Sequence, residues 1–403
     1  MAITVQTKAK FQELLDKKLL AGLTSAPMEA NASQVQYDGG KEFKIPNLDV
    51  DGLGDYTRNA GYKSGEYQFS WQTKTFDKDR GRSFPIDVMD MDETGFVLTA
   101  GALAERFITE QVVPEIDAYR YSKIFALINA VQQTYAYVPD KSTIFTEFKG
   151  HLIEAGNEAG GAPMIAFINN LVLGTLEASS EFTRMVTETE VQTGDRKTKI
   201  RSIDGVQLVG VPSSRMKSLY TFATGEGNSG GFSAHANAMS INWIICPVSA
   251  PLAIVKHASP KVIEPENNPF GDGYIYGYRV YHTLEIADNK KGLFRVSYEP
   301  IDAPDLEPTV AKGGSAGKTK WTATAGTGNK LGYFLNATER VVKFNELVIV
   351  DATPVEGFEA PYTANAAFDA SENDYLTMVS YSEATGRVVA SATVKLTSAE
   401  IGT

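Results

Sequence analysis

The chain has almost no cysteine: Cys246 is the single one among 403 residues. An intramolecular disulfide and any site built on several thiolates are therefore excluded. Histidine is scarce as well. His151, His235, His257 and His282 form no i,i+4 pair and no HExxH, so there is no zinc signature. No window approaches the roughly 18 continuous apolar residues of a membrane span. Basic residues are the minority: 38 Lys and Arg stand against 49 Asp and Glu, a formal net charge of -11. A surface of that sign repels phosphate over most of its extent, whereas a chain built to grip nucleic acid usually carries a basic excess. Room is left only for a local basic strip. The N-terminus, MAITVQTKAKFQELLDKKLLAGL, alternates charge with Leu and lacks the apolar block of a signal peptide. Synthesis and folding in a cytoplasm are expected from that.

What is present is an ordinary folded composition, 43% hydrophobic and 22% charged, which excludes a disordered or fibrous chain. At about 150 residues per domain the length suggests two or three domains. Residues 8–21 read as a short amphipathic helix, with Phe11, Leu14, Leu15 and Leu19 on one stripe. Such a helix docks either on its own core or, as an arm, on a neighbour. KEFKIPNLDV and GEYQFSWQTKTF read as two strands around the Gly-, Asp- and Asn-rich DGLGDYTRNAGYKSG. An extended hairpin with a polar tip and little apolar surface cannot stand alone and needs a partner. DRGRSFPIDVMDMDET follows, where Asp92 or Thr94 is expected to cap the long helix and Arg80 and Arg82 to pair with the other acids, Asp87, Asp90 and Glu93.

Residues 96–130 carry the strongest helical period, through Leu103, Phe107, Ile116, Ile124 and Ile128, with Pro114 expected to bend or interrupt it. From 140 to 257 helix and strand alternate. Residues 212–237 read as a surface loop, and 274–299 as a hairpin about Asn-Lys-Lys-Gly. PIDAPDLEP at 300–308 reads as a linker. Beyond it, 309–403 is rich in Thr, Ala, Val and Gly, with short strand-like runs separated by turns. That is the pattern of a small all-β sandwich.

The candidate chemistry is thin. Gly227-Asn228-Ser229-Gly230-Gly231 matches G-x-S-x-G, but a serine nucleophile needs a histidine to take its proton. Only His151 precedes it, inside an expected helix. Gly313 to Thr319 resembles a phosphate loop. However, Lys312 stands where the motif needs glycine, and no helix is expected to follow. The acidic run at 87–93 does not have the spacing of a calcium loop, and capping or pairing accounts for it. No catalytic residue, metal ligand or cofactor site is assigned.

The order of parts, and five blocks of wording, resemble the major capsid proteins of tailed bacteriophages with the Hong Kong 97 fold. The blocks are IPNLDVDGLGDYTRNAGY at 45–62, DRGRSFPIDVMDMDET at 79–94, EQVVPEIDAYRYSKI at 110–124, INWIICPVSAPLAIVKHASPKVIEP at 241–265 and GYRVYHTLEIADNKKG at 277–292. The resemblance implies an α+β capsid fold. It would comprise an N-terminal arm at 1–38 and a capsid domain at 39–304. Within that domain lie an E-loop at about 40–78, a spine helix at about 94–130 and an axial domain at about 140–257. The segment 305–403 would be an appended, immunoglobulin-like β-domain. It further implies self-assembly into hexamers and pentamers of an icosahedral head, helped by a scaffolding protein and a portal. DNA would be enclosed by confinement, with no cofactor and no membrane. The head would be assembled in a bacterial host cytoplasm and end in the virion. Asp55, Arg58, Lys63, Arg80 and Arg82 are the expected intersubunit contacts, and Lys63 sits where some relatives crosslink. An encapsulin-like nanocompartment shell and a Ser229 hydrolase are the alternatives. The net charge of -11 predicts that soluble subunits bind duplex DNA weakly or not at all at physiological salt. A gel-shift titration checks this, and tight binding would contradict it.

Overall fold

The computed structural model describes residues 22–37, 40–56, 58, 62–87, 89, 100–179, 181–182, 187–193, 196–226, 230–269, 271–350 and 352–402. The expected helix at 8–21 and Asp90, Asp92 and Glu93 lie outside them. The fold is mixed α+β. It divides into two compact units, one of Met1–Ile128, Asp140–His235 and Asn242–Val296, the other of Asn129–Pro139, Ala236–Ile241 and Ser297–Thr403.

In the first unit a 3-10 run at Ala26–Gln34 leads to strands β1 (Gln36–Tyr37), β2 (Glu42–Val50), β3 (Tyr67–Thr75) and β4 (Lys78–Asp87). β1, β2 and β3 form an antiparallel ribbon. Then come helix α1 (Ala100–Phe107), a π-helical turn (Ile108–Val112) and α2 (Val113–Asn129). The interruption expected at Pro114 is this π turn, not a break. Val113 N–H donates five residues back to the Ile108 carbonyl. Pro114 follows, where its missing N–H and its ring would disturb a regular α-helical ladder. Ile108, Val112, Val113 and Ile116 are buried against Tyr276, Tyr278 and Val280.

β5 (Thr134–Ala136) falls in the second unit. The first continues with α3 (Ile144–Glu158), β6 (Met164–Asn169), α4 (Asn170–Glu177), β7 (Thr187–Thr193), β8 (Arg196–Ile203) and β9 (Val206–Val211). Next are β10 (Tyr220–Phe222), β11 (Phe232–Ala234), β12 (Ser240–Pro247), β13 (Pro251–Ile263), β14 (Gly273–Ile286) and β15 (Arg295–Glu299). The larger sheet includes β12-β6-β9-β8-β7 in that order, with β6 and β9 parallel. Every residue of β6 is buried, as expected of a central strand.

Two expectations are corrected here. The loop at 212–237 contains a small hairpin, β10 paired with β11, because Tyr220, Phe222 and Phe232 stack across it. Residues 274–299 are not a hairpin. Both edges of β14 are taken, one by β13 and the other by β4. Asp288–Leu293 forms a 3-10 turn instead of a tight reversal.

A buried charge cluster fixes the start of the described chain. Asp117 and Arg120 on α2 are both fully buried. Asp117 accepts hydrogen bonds from the backbone and side chains of Thr24 and Ser25 and from Arg215. Arg120 donates to Ser25 Oγ at 2.9 Å and to Glu29 at 2.5 Å. Asn31 donates to the carbonyls of Val248 and Pro251.

The second unit is mainly β. Its strands are β16 (Thr309–Lys312), β17 (Lys318–Thr322), β18 (Asn329–Asn336), β19 (Ile349–Val350), β20 (Thr353–Pro354), β21 (Phe358–Glu359), β22 (Phe368–Asp369), β23 (Tyr375–Ser382) and β24 (Val388–Lys395). They form sheets β16-β17-β22 and β21-β18-β23-β24, with β19-β20 as a separate pair. β23 is buried on both faces. Leu376 and Met378 join Trp321, Leu331 and Leu396, while Val379 and Tyr381 join Phe334, Val348 and Val388. The expected linker at 300–308 is packed, not free. Leu306 is buried in the first of these clusters, and its N–H donates to the Ser391 carbonyl. Gly313 to Thr319 turns β16 into β17, with Gly313 N–H on the Lys318 carbonyl, so no phosphate cradle forms.

Removing Asp117 would leave Arg215 and the donors of Thr24 and Ser25 without their carboxylate. Breaking a buried pair by removing one partner costs about 3–5 kcal/mol. Asp117→Ala is expected to lower unfolding free energy by that amount, measured by urea denaturation.

Candidate assembly interface

The ribbon of β2 and β3 changes its dealings with solvent along its length. Near the base Phe43 and Ile45 point to one face and are buried with Phe76, Leu252, Ile254 and Ala287. Side chains alternate faces along a strand, so Pro46, Leu48 and Val50 point the other way. The register sets them opposite Trp71, Phe69 and Tyr67. These six make one continuous apolar face. Leu48, Val50, Tyr67, Phe69 and Trp71 are 44 to 78% exposed, and Phe69 and Trp71 meet edge to face at 5.1 Å. Full burial of side chains of this size is worth about 1.5–3 kcal/mol each. The hairpin therefore has more apolar surface than its polar tip suggests. The signal was in the sequence as alternation, but only the pairing register aligns the two rows.

At the tip Leu53, Tyr56 and Tyr62 are exposed, with the two tyrosine rings edge to face at 5.1 Å. Asp55, Arg58 and Lys63 are exposed too. Glu66 N–H donates to Asp51 at 2.8 Å and closes the loop.

The root of the hairpin is pinned by Asp77, between β3 and β4. It accepts from Tyr119 Oη, from Thr283 Oγ1 at 2.8 Å and from Lys123 Nζ at 3.1 Å. Lys123 also pairs with Glu285 at 3.3 Å. Burial pushes the Asp77 carboxyl up, but the two hydroxyls and the Lys123 ammonium outweigh it and hold it below its ordinary value. Sequence reasoning missed this residue, because its partners lie 42 to 206 positions away.

Arg80 and Arg82 sit on the same face of β4. Arg80 pairs with Glu115 of α2 and donates to the carbonyls of Ala223 at 2.7 Å and Gly231 at 3.2 Å. Its expected pairing with the acidic run is thereby corrected: β4 runs against β14 and turns this face to the helix. Arg82 lies against Gly230, where an added Cβ would fall 2.0 Å from its Nη1. Asp87 accepts from Met89 N–H at 2.8 Å. Gly227, Asn228 and Ser229 lie outside the described residues. His151, the histidine that a Ser229 hydrolase would need, is buried and accepts from Trp243 Nε1 at 3.1 Å. Among the described residues no group of three or more His, Cys, Asp or Glu is placed to hold a metal ion. No described helix is long and apolar enough to cross a membrane.

No protein-family model and no curated protein matches the chain. Among solved structures it is similar to the asymmetric unit of the bacteriophage PhiM1 mature capsid, at 15% identity and a TM-score of 0.43, over 66% of this chain and 83% of that one. It is similar to the head structure of Helicobacter pylori bacteriophage KHP40, at 12% identity and a TM-score of 0.45, over 66% and 85%. It is also similar to a virus-like particle from Pyrococcus furiosus, at 11% identity and a TM-score of 0.40, over 72% and 99%.

The lowered pKa of Asp77 has a definite sign. Its contribution to stability is complete above the unfolded-state value, near 3.8, and is lost as pH falls through the lower folded value. Asp77→Asn is therefore expected to destabilise the protein at pH 7 and to make unfolding less acid-sensitive below pH ~4. Urea titrations at pH 7 and pH 3 check this; an unchanged acid dependence would contradict it.

Proposed function

We propose that this chain is the major capsid protein of a tailed bacteriophage, built on the Hong Kong 97 plan. The observation that carries the reading is the exposed apolar face of β2 and β3, on a hairpin held at its root by Asp77. A single chain leaves that face in water. A closed symmetric shell gives every copy the same partner and covers the face throughout. The five blocks of sequence resemblance support it: β2 and β3 fall in the E-loop at 40–78, α1 and α2 in the spine helix at 94–130, and α3 to β12 in the axial domain at 140–257. Residues 1–38 are then the arm and 39–304 the capsid domain. Hexamers and pentamers form an icosahedral head in the host cytoplasm and persist in the virion, with a scaffolding protein and portal as partners. DNA is held by confinement within a shell of acidic subunits. The segment 305–403 is an immunoglobulin-like decoration displayed on the exterior.

Electron microscopy of the purified protein tests the reading. Closed shells containing nuclease-protected DNA are expected from infected lysate. A protein cargo would point to a nanocompartment, and the absence of any particle would overturn the shell itself. Phe69→Asp and Arg58→Glu are each expected to reduce particle yield by about tenfold or more while the monomer melting temperature stays within about 2 °C, since both residues are exposed in the free chain. Calorimetry of the monomer beside particle counts separates lost assembly from lost folding. A chain cut after Asp305 is expected to give closed shells with a smoother exterior; failure to assemble would place the C-terminal segment in the shell lattice.

A further inference from the structure

One apolar face in the structure and one apolar stripe in the sequence have no part in the fold described above. The face is that of β2 and β3, where Leu48, Val50, Tyr67, Phe69 and Trp71 are 44 to 78% exposed. Among the described residues no other strand or helix carries more than one exposed large apolar side chain, such as Ile153 on α3 or Leu171 on α4. No other described element therefore offers a matching face. The stripe is Phe11, Leu14, Leu15 and Leu19 in residues 8–21, which lie outside the described residues. Its size fits. On a helix, Phe11 to Leu19 span about 12 Å, and on the ribbon Pro46 to Val50 span about 14 Å. The charges fit as well. Residues 8–21 hold Lys8, Lys10, Lys17 and Lys18 against Glu13 and Asp16, four positive and two negative. Residues 46–71 hold Asp49, Asp51, Asp55 and Glu66 against Arg58 and Lys63, four negative and two positive. Two ribbons set face to face would instead bring like excesses together, which association disfavours. The helix α2 decides between the chain's own ribbon and a neighbour's. Thr24 is held by Asp117 and Tyr121, whereas the hairpin root, Asp77, is held by Tyr119 and Lys123. Each residue of the second pair follows its counterpart by two positions, about 200° around the helix. The segment that ends at residue 21 therefore joins α2 on the side away from the root of its own hairpin.

We infer that residues 8–21 of one copy lie as an amphipathic helix across the exposed face of β2 and β3 of a second copy. This rests on the assembly reading for the presence of the second copy, and it names what covers the face. Disulfide trapping tests it. Chains carrying Leu15→Cys alone are mixed with chains carrying Leu48→Cys alone, brought to assembly conditions and oxidised. Cys246 stays out of the reaction, because it is buried and burial pushes its thiol up. A disulfide joining positions 15 and 48 of different chains is expected, identified by mass spectrometry. It should exceed by about tenfold the yield with Leu171→Cys as partner, since docking raises the local concentration of one thiol at the other. Leu171 is a fair control, being 72% exposed against 57% for Leu48. The double variant Leu15→Cys/Leu48→Cys should give linked multimers on a non-reducing gel. Deleting residues 2–21 should cut particle yield about tenfold and leave the monomer melting temperature within about 2 °C. A monomer closed on itself, equal linkage to Leu171→Cys, or a fall in monomer melting temperature on deletion would overturn the inference. Electron microscopy of the same samples keeps the two readings apart. Closed shells without the 15–48 link overturn this inference and leave the shell standing. Linked multimers that never close overturn the shell and leave this contact standing, and neither link nor shell overturns both.

Discussion

The packing of the long helix on β14 is the contact on which the rest of the first unit depends. Ile108, Val112, Val113 and Ile116 are buried on Tyr276, Tyr278 and Val280. From that contact the helix reaches three ways. Asp117 and Arg120 hold the 3-10 run that begins the described chain. Tyr119 and Lys123 hold Asp77 and so the root of the hairpin. Glu115 holds Arg80, which in turn holds the carbonyls of Ala223 and Gly231 beside the small β10-β11 hairpin. Three polar anchors within nine residues of one helix are possible because the apolar stripe occupies only one side of it.

The hairpin behaves differently. It is pinned at the root by charge and hydrogen bonds, and buried at the base by Phe43 and Ile45. Beyond that point the buried face ends and the opposite face becomes apolar, from Pro46 and Trp71 to Val50 and Tyr67. A free monomer gains nothing from such a reversal. It acquires meaning only when another surface covers it, which is why a shell accounts for this chain better than a solitary fold does.

The π turn has a local cause with a structural use. Pro114 cannot supply its N–H to the helical ladder, and one i→i−5 bond from Val113 to Ile108 precedes it. The helix therefore keeps its apolar side on β14 through the irregularity, and Glu110, Gln111 and Val112 of this stretch line a cavity beside it.

Much of this was legible in the sequence, because local periodicity and turn chemistry are properties of neighbouring residues. The two hairpin strands, the long helix with its disturbance at Pro114, the alternation of helix and strand from 140 to 257, and the β-rich C-terminal segment all followed from period and composition. The failures share a cause. Whether 274–299 closes on itself depends on which strands claim the edges of β14, and β4 and β13 come from far away in the chain. The partner of Arg80 is Glu115, not the nearby acidic run, because the face that a strand turns inward is decided by the sheet that receives it. Leu306 lies in a proline-rich stretch, yet it packs because Ser391 and the Trp321 cluster are there to receive it. The sequence by itself determined the long helix and where the extended hairpin of β2 and β3 must exist. Tertiary structure alone decided the register that gathers six apolar side chains on one exposed face, and the convergence of Tyr119, Lys123 and Thr283 on Asp77. Both require residues far apart in sequence to meet, and no local pattern encodes such a meeting.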